Sequence, residues 1–197
     1  MPRDGEPARQ RLQQAAIDLY LAHGYDQVTT AEIAARAGVT ERTFFRHFAD
    51  KREVLFRGET ALRDTLVAGV ADAPPELAPL PTLLWAFRSA VPLLAHNRRL
   101  SEPLRRVIAA TPALRERQQT KTVLLTEALA EALRERAVPD STASLAARIG
   151  MAAFGHAGSV WFRDQAGEFD RILNEAFEDL PALTAPLTAD SAQPDHA

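Results

Sequence analysis

The 197-residue chain contains no cysteine. That excludes disulfide frameworks, cysteine-ligated zinc, iron–sulfur clusters and thiol nucleophiles. No apolar run approaches the roughly 20 residues that span a bilayer. The amino-terminal MPRDGEPARQ has no apolar stretch behind its charges, so no secretory leader is expected. A dominant charge is also missing: 26 acids face 23 bases, and that balance by itself does not point to a polyanionic partner. The five histidines, His23, His47, His96, His156 and His196, are scattered. There is no Glu-x-x-His pair, no His-Glu-x-x-His, no Gly-x-Ser-x-Gly and no phosphate-cradling glycine loop. The expectation is therefore a protein with no metal, no cofactor and no catalytic site, held away from membranes in the cytoplasm.

Alternating Val/Ile/Thr runs are absent too, so no strand is expected and the class is all-α. Leu12, Ala15, Ala16, Leu19 and Tyr20 repeat at helical spacing and predict a helix over about 8–22, closed by Gly24. Thr29-Thr30-Ala31-Glu32 reads as a capping box that opens a second helix. Ile33, Ala34 and Ala37 form the inner face of that helix, and Gly38 ends it. Thr40 is placed to cap a third helix, 41–48, and Asp50 a fourth running from Lys51 to about Ala71. After the proline-rich stretch 73–81, helices are expected at about 82–96 with a kink or an early end at Pro92. Others should start near Ser101-Pro103 and Thr111-Pro112, then span 141–163 and 168–180. Residues 1–8 and 182–197 have little to bury and are expected to be disordered.

Residues 29–48 are thus two short helices joined by a glycine-containing turn, the arrangement of a helix-turn-helix. Ile33, Ala34, Ala37, Val39, Phe44 and Phe48 supply its interior. The opposite face of the third helix shows Glu41, Arg42, Thr43, Phe45, Arg46 and His47. Recognition helices set such a polar first turn against base edges in the major groove. A large aromatic such as Phe45 on an otherwise polar face is costly without a partner.

The run from Gly24 through Tyr25, Val28, Thr29, Thr30, Ile33 and Ala34 continues as Ala37-Gly38-Val39-Thr40, then Thr43-Phe44-Phe45-Arg46-His47-Phe48, and ends at Lys51. It resembles the DNA-binding domain of TetR/AcrR-family transcriptional regulators. The resemblance implies a three-helix head over 9–52 and a roughly six-helix ligand-binding and dimerisation body over 53–181. It also implies contacts to double-stranded DNA through Thr29, Thr30, Thr43, Phe45, His47 and Lys51, with Lys51 starting the fourth helix at a phosphate. Phe45 stands where tyrosine is common in the family and lacks its hydroxyl. Glu41 and Arg42 fall in the variable, base-reading turn. Arginine pairs bidentately with guanine and glutamate accepts from cytosine N4, so a G·C-bearing half-site is expected; Glu41 is alternatively a plain helix-starting acid.

By the same resemblance, the last two long helices form an intermolecular four-helix bundle. Gly155, Ser159, Phe162, Leu173 and Phe177 are candidates for the homodimer face. Trp85, Arg88, Met151 and Phe154 are candidates for lining a pocket for a small, moderately apolar effector. The resulting expectation is a dimeric, nucleoid-associated repressor on a palindromic operator, released by ligand. An activator of the same family, or a helical ligand-binding dimer that does not bind DNA, are the alternatives.

Overall fold

The computed structural model describes residues 5–56, 58–96, 98–163 and 168–183. Among these residues there is no strand. The helices are α1 (Gly5–His23), α2 (Thr30–Arg36), α3 (Glu41–His47), α4 (Glu59–Ala71), α5 (Pro79–Ser89), α6 (Val91–His96), α7 (Arg98–Ala110), α8 (Pro112–Glu135), α9 (Asp140–Arg163), α10 (Phe169–Glu178) and α11 (Leu180–Leu183). A 3-10 turn, Glu53–Phe56, precedes α4.

Two cores organise them. The first gathers Leu12, Ile17, Ile33, Phe44 and Phe48 from α1–α3, with Val54, Leu55 and Phe56 of the 3-10 turn. Val107 of α7 and Leu114 of α8 complete it, so the body reaches into the head. The second core joins α4, α5, α8, α9 and α10 through Leu66, Leu83, Phe87, Leu129, Leu133, Met151 and Leu173. Helices α4 and α5 meet at Gly69, where a Cβ would lie 2.8 Å from the Ala86 backbone. Arg136 fixes the far end of α4 by donating to the carbonyls of Val70, Ala73 and Pro74 at 3.1, 2.7 and 2.7 Å. It places a cation where the helix dipole is negative.

Several expectations are corrected. Against the expected disorder of residues 1–8, helix α1 begins at Gly5 and buries Ala8; residues 1–4 and 184–197 lie outside the described residues. No helix starts at Lys51. Asp50 Oδ1 does cap, accepting from the amides of Arg52 and Glu53 at 2.7 and 3.1 Å, but it caps the 3-10 turn. Gly58, at φ +89°, then breaks the chain before α4. The 82–96 stretch is two helices: α5 begins earlier, at Pro79, and gives way at Ala90, so that Pro92 falls in the first turn of α6, where a missing amide hydrogen costs little. Pro103 lies inside α7 rather than at its start. The last helix is split into α10 and α11 at Asp179.

Candidate nucleic-acid interface

The capping box is present as read. The Thr29 hydroxyl accepts from the Glu32 amide at 3.2 Å, and Glu32 Oε2 accepts from the Thr29 amide and hydroxyl at 2.8 and 2.9 Å. Those bonds hold the Glu32 carboxyl below its ordinary range. Helix α2 closes with paired carbonyl bonds, Gly38 N to Ala35 O at 3.1 Å and Val39 N to Ala34 O at 3.0 Å. Gly38 takes φ +69°, the left-handed conformation this closure needs. The Thr40 hydroxyl then accepts from the Thr43 amide at 3.2 Å and starts α3. Local chemistry therefore sets the ends of both helices and the turn between them, and packing of their buried faces has to supply the rest.

Tertiary contacts orient it. Phe44 is fully buried and anchors α3 against α1 and α2. Arg11 donates to the Ala37 carbonyl at 3.1 Å, and Arg36 pairs with Asp18 at 3.2 Å, tying α2 to α1. Thr30 Oγ1 donates to Glu41 Oε1, bridging α2 and α3. The outward face of α3 presents Glu41, Arg42, Phe45 and Arg46 to solvent, with Phe45 53% exposed. Thr43 is half-buried and shares a 3.0 Å hydrogen bond with Thr40. His47 is half-buried, and its Nε2 is buried without a partner. Burial, then the charges of Arg46 and Arg9, push its pKa below the ordinary histidine value. Arg9 carries no signal in the sequence; the approach of α1 to the end of α3 brings its charge beside Arg46 and His47.

Lys51 is placed differently from the expectation. Its Nζ donates to the carbonyls of Tyr25, Asp26 and Val28 at 2.9, 3.5 and 3.0 Å, and it sits 4.4 Å from the centre of the Tyr25 ring. The Tyr20 hydroxyl donates to the Lys51 carbonyl at 2.7 Å. Lys51 thus locks the loop before α2 to the end of the head. A phosphate contact from Nζ has to replace those carbonyls. Thr29 and Thr30 likewise have their hydroxyls engaged within the corner.

In the body, none of the four pocket candidates lines either of the two clefts described below. Trp85 is 46% exposed on the outer face of α5, whereas Phe87, two residues on, is in the core. Arg88 forms a surface pair with Asp170 at 2.8 Å. Met151 is buried, and Phe154 stacks on Phe87 with ring centroids 4.5 Å apart. Two clefts lie elsewhere. One, of about 470 Å³, runs between α4 and α8 and is lined by Glu59, Arg63, Leu124, Leu125 and Ala128 among others. The other, of about 510 Å³, separates the end of α1 from the α7–α8 corner.

Of the dimer-face candidates, Leu173 is corrected: it is 0% exposed within its own chain, packed between α10 and the α5–α9 layer, and has no surface to offer a partner. Gly155 is exposed with open space where its Cβ would be, and Ser159, Phe162 and Phe177 are half-buried. Leu145, Ala152 and Gly155 lie exposed along one side of α9. No group of three metal-ligating side chains occurs among the described residues, and none of their helices is long and apolar enough to cross a membrane.

Residues 12–57 match the family described as bacterial regulatory proteins, tetR family. The chain is 30% identical over 196 residues to the HTH-type transcriptional regulator TcmR of Streptomyces glaucescens, covering 94% of this chain and 87% of that protein. Its fold resembles that of SmeT in complex with triclosan, with a TM-score of 0.63 at 23% identity over 89% of this chain and 90% of that one. It also resembles that of Thermus thermophilus FadR in complex with lauroyl-CoA, with a TM-score of 0.54 at 22% identity over 95% and 100% of the two chains. With its corner, its exposed α3 face and a near full-length relative in agreement, the chain belongs to the TetR family of helix-turn-helix transcriptional regulators.

Proposed function

We propose that this regulator is a repressor that binds a palindromic operator as a homodimer and is released by a small, moderately apolar ligand. The observation that carries the reading is the outer face of α3: Arg42, Phe45 and Arg46 stand free on a helix anchored from behind by Phe44 and fixed at its start by Thr40. Arg42 reads base edges, Phe45 contacts sugar or a thymine methyl, and Arg9, Arg46 and His47 lie toward phosphate. Glu41 is held across the corner by the Thr30 hydroxyl.

The dimer follows from α9 and α10. An exposed mid-helix glycine costs about 1 kcal/mol relative to alanine, a cost that a close helix approach at a two-fold axis offsets. Leu145, Ala152, Gly155 and Ser159 form that strip, flanked by Phe162 and Phe177. The α4–α8 cleft, whose lining sets Leu124, Leu125 and Ala128 among the charges of Glu59, Arg63, Glu127, Glu131 and Arg134, takes the effector. A ligand there shifts the heads only by its difference in affinity between the two arrangements.

The test is selection of bound sequences from random duplex DNA, followed by the salt dependence of the winner's affinity. A palindrome whose half-sites are about one helical turn apart, with affinity falling steeply as salt rises, is the expected result. An absence of enrichment from protein refolded to strip any carried ligand refutes the reading.

His47 gives the complex a pH dependence. Its pKa is depressed in the free chain, so it is neutral at pH 7. A nearby phosphate favours the imidazolium and raises the pKa, so binding takes up protons. Operator affinity therefore rises as pH falls through the window between the two values, by up to about tenfold per pH unit for each proton taken up. Titrations at fixed salt between about pH 5.5 and 8 check this; His47→Gln should flatten the profile, and an unchanged profile in that variant would mean that His47 does not meet phosphate.

A further inference from the structure

The cleft between head and body carries chemistry that neither the α3 face nor the α9 strip uses. Its volume of about 510 Å³ suits a small molecule. One wall is apolar, from Leu21 of α1 and Val107 and Ala110 of α7. Leu21 is among the exposed large apolar side chains of the chain.

The other wall is electropositive. Helix α8, 24 residues long, begins here with Thr111 as N-cap and Pro112 as its first residue, and no side chain caps it. An N-cap threonine ordinarily accepts from the second or third amide of its helix. Thr111 does not: it is only 9% exposed, lines the cleft, and its hydroxyl makes no hydrogen bond among the described residues. Arg106 lines the same cleft, exposed, and pairs with no carboxylate among the described residues. His23, in the last turn of α1, faces it as well, and Asp26 is the one acid on the lining, itself exposed. An exposed guanidinium, a threonine hydroxyl not used in capping and the positive end of a long helix thus line one cleft beside an apolar wall.

We propose that this cleft binds a small carboxylate with an apolar, ring-sized body. The carboxylate lies on Arg106, Thr111 and the start of α8, and the body packs on Leu21, Val107 and Ala110. The walls come from α1 on one side and from α7 and α8 on the other, so an occupant binds with an affinity that depends on how head and body sit together. That coupling rests on the regulator reading above; the site itself does not.

The probe is benzoate, with benzyl alcohol as its neutral counterpart, titrated into the full-length chain without DNA and followed by calorimetry or ligand-observed NMR. Benzoate should bind saturably and at least about tenfold more tightly than benzyl alcohol, the contribution of a charge-assisted contact. Arg106→Gln should weaken benzoate about tenfold without lowering the melting temperature, because the arginine is exposed and unpaired, and Thr111→Val about threefold. Equal binding of the two probes, unchanged affinity in Arg106→Gln, or no saturable binding up to about 10 mM benzoate overturns the proposal. Repeating operator titrations with saturating benzoate separates the two claims. A change in DNA affinity that Arg106→Gln abolishes supports the coupling. Unchanged DNA affinity with intact benzoate binding overturns the coupling alone. Failure to bind any DNA counts against the regulator reading and not against the site.

Discussion

Replacing Arg117 by methionine should lower the stability of the folded chain by about 2–3 kcal/mol, measured by urea unfolding. Arg117 Nε and Nη2 donate to the two oxygens of Glu53 at 2.7 and 3.1 Å, and Nη2 also donates to Glu59 at 2.7 Å. Its guanidinium lies 5.0 Å from the centre of the Phe56 ring. Glu53 belongs to the 3-10 turn packed in the head, Glu59 opens α4, and Gly58 bends the chain between them. A single side chain from α8 therefore straps both sides of the bend. At 22% side-chain exposure, the fork is too enclosed to be treated as a weak surface pair. The loss falls short of the roughly 3–5 kcal/mol of a fully buried pair because Glu53 and Glu59 keep 31% and 21% side-chain exposure, and because Nη1, buried without a partner, already counts against the native state. Methionine keeps the apolar stem on Phe56, so the loss reports the ion pairs. Arg117→Lys should restore less than half of it, since an ammonium cannot span both carboxylates with a planar fork. A loss below about 0.5 kcal/mol would place the pair among ordinary surface contacts. Glu59 also lines the α4–α8 cleft. If effectors enter there, Arg117→Met should reduce the ligand's effect on operator affinity even where the ligand still binds.

The parts of this protein that could be read from sequence are those that local chemistry decides. The capping box at Thr29, the Thr40 cap and the left-handed Gly38 each depend on neighbours within four residues, so the helix-turn-helix was legible in detail. The break at Gly58 was not, because 51–71 carries a continuous helical pattern, and the 3-10 turn forms only because Val54, Leu55 and Phe56 are drawn into the core of the head. Lys51 illustrates the same limit. Its carbonyl partners lie more than twenty residues away and exist only once the Tyr25 loop has folded back. In the body, an apolar residue on a bundle helix has two possible destinations, its own core or another surface. Trp85 and Phe87 are two positions apart on α5 and point to opposite fates. Leu173 has an interface-like apolar side chain but fills its own core, while Leu145 is exposed although a single leucine in an alanine-rich helix carries no signal of that in the sequence.

The second large effect is expected at Arg42. It is exposed in the first turn of α3 and pairs with no carboxylate among the described residues, so its guanidinium is free to fork onto a guanine. Arg42→Ala should cost about 1–3 kcal/mol of discrimination in each head. In a dimer both heads lose it, which is at least about a thirtyfold fall in affinity for the selected operator. Binding to scrambled duplex should weaken far less, since only one charge per head is removed. Arg46, one turn on and beside His47, provides the contrast. Arg46→Ala should weaken all sequences about equally and reduce the salt slope by about one per head, as loss of a phosphate contact does. The two variants together separate reading from attachment. Stability should not move with either, because both side chains are exposed and Phe44 behind them holds α3 in place. An Arg42→Ala protein that keeps its full preference for the operator would transfer the base-reading role to Glu41, and the Thr30 hydroxyl that now holds Glu41 would then have to release it on binding.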